Sequence, residues 1–349
     1  MTPLFETVRR SVARWQPALL LAALWIVFSA ASPQFRRIET VLNVLEHASS
    51  TAILAIGMTF VLVAGGIDLS VGAVMLLASA VCGSLLGAGW PIALGVLAMV
   101  LIGMAWGVFN GMLVAQARLT PFIVTLSTLF LGRGLGLWIT ETRPIALPDE
   151  FRSLTTTAVA GVPASVVVML ACACGAHVAL TQTWFGRRLF ALGGDPQAAV
   201  RAGINDRRLG VAPYVICGGL AAVAAVIAVA ELNTVSPTLG TGRELTAIAA
   251  AVLGGVSLFG GRGSVPGAVV GAVTIQCIYS GLSTLDADPQ FNIDIDEYAY
   301  PLITAALVFS GVLIDSLRKQ WVDRSQRRLI RPMDMSHRPA GALSPATIP

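Results

Sequence analysis

Charge is scarce in this chain. Of its 349 residues only 12% are charged, against about 25% in an ordinary soluble domain. Lysine is nearly absent: 22 of the 23 basic residues are arginine, and the single lysine, Lys319, is followed by Gln320. A Walker A loop needs Gly-Lys-Ser/Thr to cradle phosphates, so the chain has none, and any ATP chemistry belongs to another subunit. The three histidines (His47, His177, His337) do not cluster in sequence. The five cysteines (Cys82, Cys172, Cys174, Cys217, Cys277) all lie in apolar stretches. Cys172 and Cys174 lack the partners that zinc requires, so the cysteines read as small buried hydrophobes and no metal site is expected. The ten-residue alternation of a porin strand is also missing. No cleaved leader is expected, because the apolar run after Arg9, Arg10 and Arg14 leads straight into further membrane segments.

What the chain has is apolar length. Hydrophobic residues make up 55% of it, in blocks near the span of a bilayer. Windows near 15–32, 48–66, 70–89, 91–114, 120–139, 162–181, 210–231, 245–259, 264–284 and 299–317 predict an all-α polytopic membrane protein with about ten transmembrane helices. The eighth window is short. Few residues join windows two and three, or eight and nine, which leaves room for broken or re-entrant helices. The 35 glycines suit close helix packing in lipid.

Charge sets the orientation. With the N-terminus inside, 17 basic residues fall on the cytoplasmic face and five on the other, which carries twelve acidic residues. The positive-inside rule then puts both termini in the cytoplasm and makes the span count even. The predicted organisation is a cytoplasmic N-terminal segment 1–14, a membrane domain 15–317 and a cytoplasmic, largely disordered tail 318–349. Within the membrane domain, 183–210 is the longest cytoplasmic connection. Asp195-Pro196 fits the entry of a short surface helix over Gln197–Ala202, with Asp as cap and Pro in the first turn. The loop 141–161 reads as an ordered external connection, and the acidic stretch Asp286–Tyr300 precedes the last window.

Two runs carry the polar chemistry. In Ala55–Gly72, Asp68 lies between the pair Gly65-Gly66 and the restart Ser70-Val-Gly72, a pattern that suits a helix break. A carboxylate near membrane depth is expensive unless it caps, pairs or functions. Asp68 therefore caps the next helix through its free N–H groups or couples an ion, and the local pattern favours cap and hinge. The second run, Gly240–Gly263, repeats Gly-Gly-aliphatic-polar-Leu at Gly254-Gly255-Val-Ser-Leu258, which suggests a duplicated half. Arg243 and Glu244 are expected to start the eighth window on the outer side. Arg133 in the fifth window and Asn110 in the fourth are candidates for a polar path or a partner contact. The spans are otherwise nearly bare of charge, so the energy for active transport would arrive mechanically from the cytoplasm.

The run Ala55–Gly72, with Ala191-Leu-Gly-Gly-Asp195, Ala202-Gly-Ile-Asn205 and Glu244–Gly263, resembles the membrane-spanning permease subunits of bacterial ABC sugar importers. That group contains the ribose, xylose, arabinose and galactofuranose permeases, and the similarity runs from about residue 33 to residue 317. The resemblance implies a second permease subunit, identical or a sister chain, lining the path. It implies a cytoplasmic ATP-binding cassette protein that holds ATP and Mg, so this chain itself binds no cofactor and is not an enzyme. A periplasmic sugar-binding protein would deliver the cargo, and no nucleic acid is involved. The family's coupling pattern Glu-Ala-Ala-x-x-x-Gly matches Gln197-Ala198-Ala199-Val-Arg201-Ala-Gly203 with Gln in place of Glu. Rival readings are a stand-alone ion-coupled transporter, a receptor-like membrane protein, or an ABC permease for a nucleoside or a branched-chain amino acid.

Overall fold

The computed structural model describes residues 3–159 and 161–286, together with helical positions 302, 303, 305, 306, 309, 310 and 313 in the tenth apolar window. The acidic stretch beyond Asp286 and the tail 318–349 lie outside the described residues. Helix α1 (Pro3–Ala31) begins well before the window expected at residue 15, so the segment 1–14 is largely helical backbone. A short 3₁₀ turn over Pro33–Arg36 follows, and its buried Phe35 packs on Trp25 and Phe28, with ring centroids 4.7 and 5.3 Å apart.

Helix α2 (Ile38–Val63) is the axis of the molecule, and every residue from Ala48 to Val63 is buried. A helix that is apolar around its whole circumference has to be surrounded. It is followed by α3 (Val71–Gly87) and by α4 (Ile92–Gly111), which runs on through a π turn to Gln116. Next come α5 (Pro121–Thr140), strand β1 (Ile145–Ala146), α6 (Asp149–Thr156), strands β2 (Ala158–Val159) and β3 (Val162–Pro163), and α7 (Ala164–Thr181). Three short helices, α8 (Trp184–Gly194), α9 (Pro196–Arg201) and α10 (Asp206–Leu209), lead into α11 (Ala212–Leu232). Strand β4 (Thr234–Val235), α12 (Arg243–Leu253) and α13 (Val265–Asp286) complete the order.

Among the described residues, six helices are long and apolar enough to cross a membrane: Ile38–Val63, Ile92–Gln116, Pro121–Thr140, Ala164–Thr181, Asp206–Leu232 and Val265–Asp286. The protein is a helical, multi-pass membrane protein. Its β content is marginal. Strand β1 pairs antiparallel with β4, with Ile145 opposite Val235, and β2 pairs with β3. The β1–β4 ladder marks one end of the bundle, and α8–α10 mark the other.

Glycine sets the closest helix approach. Gly103, Gly107 and Gly111 recur every four residues along α4 and face Gly218 and Tyr214 of α11 and Val211 just before it. A Cβ at Gly103 would collide with the Gly218 carbonyl, and one at Gly107 with that of Tyr214. Backbones this close are the small-xxx-small packing expected in lipid.

The eighth window is corrected. Its apolar run reaches residue 259, but α12 stops at Leu253, because Gly255 (φ 88°) takes the left-handed conformation and ends it. Eleven residues at 1.5 Å each extend about 16 Å, half of a hydrocarbon core. Cys174 is a second correction. Cys82, Cys217 and Cys277 are buried, but Cys174 is exposed on α7 and Cys172 is half-buried. Nothing polar is lost when a thiol faces an apolar solvent.

Candidate functional site

Three polar features interrupt the apolar bundle, and the first and third share a wall. The first is the break between α2 and α3. Ala64 closes α2, and Gly65 at φ 84° turns the chain, with Gly65 N–H donating to Leu62 O (2.9 Å) and Gly66 N–H to Val61 O (2.9 Å). This is the Schellman ending, available here because glycine pays no Cβ penalty at positive φ. Asp68 is 1% exposed. Its Oδ1 accepts from Ser70 N–H (2.9 Å) and from Ser70 Oγ (2.7 Å), so the expected cap on α3 is corrected: the carboxylate closes a turn onto Ser70, the residue before α3, whose own N–H groups have no side-chain cap. Asn110 Nδ2 in turn donates to Ser70 Oγ at 2.8 Å, so Asn110, itself fully buried, faces this break and not an open path. Thr125 Oγ1 at the start of α5 donates to Ile67 O at 3.2 Å. The Tyr214 hydroxyl of α11 lies where a Cβ on Gly66 would be, which explains why residue 66 has none.

The second feature is a segment that dives into the bundle. Beyond β4 the chain descends through Ser236–Gly242, and Gly240 meets Gly72, the second residue of α3. Neither glycine has room for a Cβ: each would strike the other's carbonyl, and one on Gly72 would also strike Glu244 Oε2. Arg133 Nη2, from α5, donates to Pro237 O (3.4 Å) and to Thr241 Oγ1, clamping the descending chain at two points. Arg243 Nη1 donates to Thr51 Oγ1 at 3.1 Å. Thr51 is 13 residues from the start of α2 and 12 from its end, about 20 and 18 Å along the axis. The expectation that Arg243 and Glu244 begin a span at the outer surface is therefore corrected: α12 begins level with the middle of α2, because the irregular segment Ser236–Gly242 covers the first half of that length.

The third feature is the α8–α10 connection. Thr183 Oγ1 caps α8 by accepting from Gly186 N–H (3.2 Å), and Asp195 Oδ1 caps α9 by accepting from Ala198 N–H (3.0 Å). Pro196 occupies the first turn, and Gly203 (φ 84°) ends the helix. Its N–H donates to Val200 O (2.9 Å), and Ile204 N–H donates to Ala199 O (3.1 Å). Ala199 is buried beneath α9, while Gln197, Ala198, Val200 and Arg201 face outward. Asn205 Oδ1 caps α10 through Arg208 N–H at 3.0 Å.

The shared wall is made of glycine. Gly261 N–H, in the α12–α13 connection, donates to Val63 O at the end of α2 (2.9 Å). Gly193 of α8 sits so close that a Cβ would collide with Val63 O and crowd Gly261 N, and Gly260 packs between Gly193 and Gly65. The pairs 65–66, 193–194 and 260–261 thus meet. Sequence matching of Gly65-Gly66 to Gly254-Gly255 is one residue out of structural register, since the turning glycine is Gly65 in one break and Gly255 in the other. Gly193, Gly260, Gly261, Thr241, Thr51 and Tyr214 were not foreseen as site residues. The two extra Gly-Gly pairs were a readable signal; Thr51 and Tyr214 carried none.

At the β-ladder end His47 Nδ1 pairs with Glu231 at 2.5 Å, joining α2 to the end of α11. Among the described residues no group of three or more His, Cys, Asp or Glu is placed to hold a metal ion.

A sequence profile of the family described as "Branched-chain amino acid transport system / permease component" matches residues 40–314, from the start of α2 into the tenth window. The chain belongs to this family. Among curated relatives, it is 36% identical to the ribose import permease protein RbsC of Haemophilus influenzae over 85% of this chain and 91% of that protein. Identity to RbsC of Bacillus subtilis is 35%, over 86% and 91%. Identity to the autoinducer 2 import system permease protein LsrC of Salmonella typhi is 32%, over 90% of each. No solved structure matches the chain significantly.

Proposed function

We propose that this chain is the membrane-spanning permease subunit of an ABC importer that moves a monosaccharide or similar small polyol across the bacterial inner membrane. The carrying observation is its similarity along nearly the whole length of import permeases named for ribose and for autoinducer 2. In this reading the chain crosses the membrane ten times, with α12 and its irregular approach counted as one broken crossing, and both termini are cytoplasmic. The α8–α10 end then faces the cytoplasm and the β-ladder end faces the periplasm. Cargo arrives on a periplasmic sugar-binding protein, and a second permease subunit completes the path. ATP and Mg sit on a cytoplasmic ATP-binding cassette protein, so the chain is not itself an enzyme.

Helix α9 is the coupling element. Gln197, Ala198 and Arg201 present its outer face to the ATPase, Ala199 anchors it, and Gly203 ends it. Small alanines keep the helix slim enough for a groove, and Asp195 fixes its first turn. Asp68, Ser70 and Gly72 with Gly65 and Gly66 form one hinge, and Gly254 and Gly255 form the other. The test is isolation of the chain in mild detergent from its native membrane, with mass spectrometry of what accompanies it. A near-stoichiometric ATP-binding cassette protein is expected. A chain that isolates alone, while its vesicles take up solute without ATP, overturns the reading in favour of an ion-coupled carrier.

A further inference from the structure

Arg133, Arg243 and Glu244 are charged, lie at half-depth, and are all only half-buried, while Thr241 between them is exposed. Arg133 uses one nitrogen on Pro237 O and Thr241 Oγ1; its other N–H groups have no partner among the described residues. Glu244 turns one carboxylate oxygen toward the Gly72–Gly240 contact, within electrostatic reach of Arg133. The side chains next to this shelf are strongly apolar: Leu245 is 63% exposed and Phe130 is 68% exposed. Charges held open at bilayer depth are too costly to face lipid and mark water-filled routes. Irregular backbone at such a depth is likewise tolerated only where it lines protein or a cavity.

We propose that the shelf formed by Arg133, Thr241 and Glu244 faces the aqueous translocation path and holds the cargo's hydroxyl groups half-way across. This rests on the import reading above and deepens it by naming where the path selects. The chemistry suits a neutral polyol. A guanidinium offers N–H donors, a carboxylate accepts two hydroxyl hydrogens, and the Thr241 hydroxyl does either. The rigid clamp on residues 237–241 fixes the donor–acceptor spacing before cargo arrives. Adjacent hydroxyls of a sugar bridge such a pair, and a hydrocarbon does not.

The test uses the full complex in proteoliposomes with Thr241→Cys and, as a control, Leu101→Cys on the open apolar face of α4. A charged, membrane-impermeant thiol reagent is applied, and labelling is read at each position by mass spectrometry. Labelling at 241 is expected to be at least about tenfold faster than at 101, and slowed by saturating D-ribose but not by leucine. Equal rates, or no labelling at 241, would mean a lipid-facing or protein-covered shelf and overturn the proposal. So would protection by leucine alone, which would assign the shelf to an amino acid. Glu244→Gln is expected to lower ribose uptake about tenfold while the ATP-binding cassette protein still co-purifies; unchanged uptake counts against a cargo contact. Loss of that co-purifying ATPase in the unmodified complex is a failure of the import reading and not of the shelf.

Discussion

The two helix breaks end their helices in the same way and fasten the following chain differently. In the first, Gly65 turns the chain at φ 84°, and side chains then close it: Asp68, Ser70, Asn110 and Thr125, from three elements. In the second, Gly255 turns the chain at φ 88°, and the loop closes mostly on itself: Ser257 N–H donates to Arg262 O at 3.0 Å, Ser257 Oγ accepts from Phe259 N–H at 3.2 Å, and glycines stand at 260, 261 and 263. The first follows a helix of 26 residues, the second a helix of 11. A polar network holds one geometry, because each buried group in it needs its partner. A glycine loop fits wherever its neighbours let it. The first break is a keyed junction and the second a conforming one.

The largest expected effect comes from filling the contact between them. Gly193→Ala places a methyl against the Val63 carbonyl, and overpacking of this kind costs about 1–3 kcal/mol. The thermal midpoint of the detergent-solubilised protein should fall accordingly, and Gly194→Ala, where a Cβ meets nothing, should leave it near the parent value. An unchanged midpoint for Gly193→Ala would sink the close approach.

Asp68 comes next. Asp68→Ala strands the Ser70 N–H and hydroxyl, at about 1–3 kcal/mol for unmet buried groups. Asp68→Asn retains an acceptor and should cost less. If Asn is as damaging as Ala in the same melting assay, the carboxylate's role is its charge, and the keyed-junction account fails. Ser257→Ala, which removes an acceptor from the exposed Phe259 N–H in the second break, should be milder than Asp68→Ala.

Asp195→Ala removes the cap of α9, worth about 1 kcal/mol. Its readout is weaker recovery of the ATPase with little change in melting, since α9 stands at the surface. The smallest effect belongs to His47→Ala. The His47–Glu231 pair is about half exposed, and such pairs contribute roughly 0–1 kcal/mol. A drop in midpoint comparable to that of Gly193→Ala would show that the pair does more than tie two helix ends together.

Local signals were legible in sequence. The glycine at 203 and the Asp195-Pro196 entry each mark a helix end within a few residues of its place. The first break was visible too, because Gly-Gly followed by a carboxylate has few other uses inside an apolar run. The dive of residues 236–242 was hidden. Arg133 and Thr241 are 108 positions apart, and Arg243 and Thr51 are 192 apart. Only tertiary packing joins them. The short α12 was misjudged for a related reason: hydropathy continues through Val256 and Leu258, while helical backbone stops at Leu253. Apolarity reports depth, and the glycine φ reports direction.

Where α8 meets the two breaks, peptide groups touch peptide groups. Gly193 abuts Val63 and Gly261 with no side chain between them, and the Val63 carbonyl is already bonded to Gly261 N–H. Side-chain contacts are compliant, because a rotamer can swing and absorb a push. A contact made only of backbone has no such slack in compression. Any inward displacement of α8 must therefore carry the ends of both broken segments with it at once.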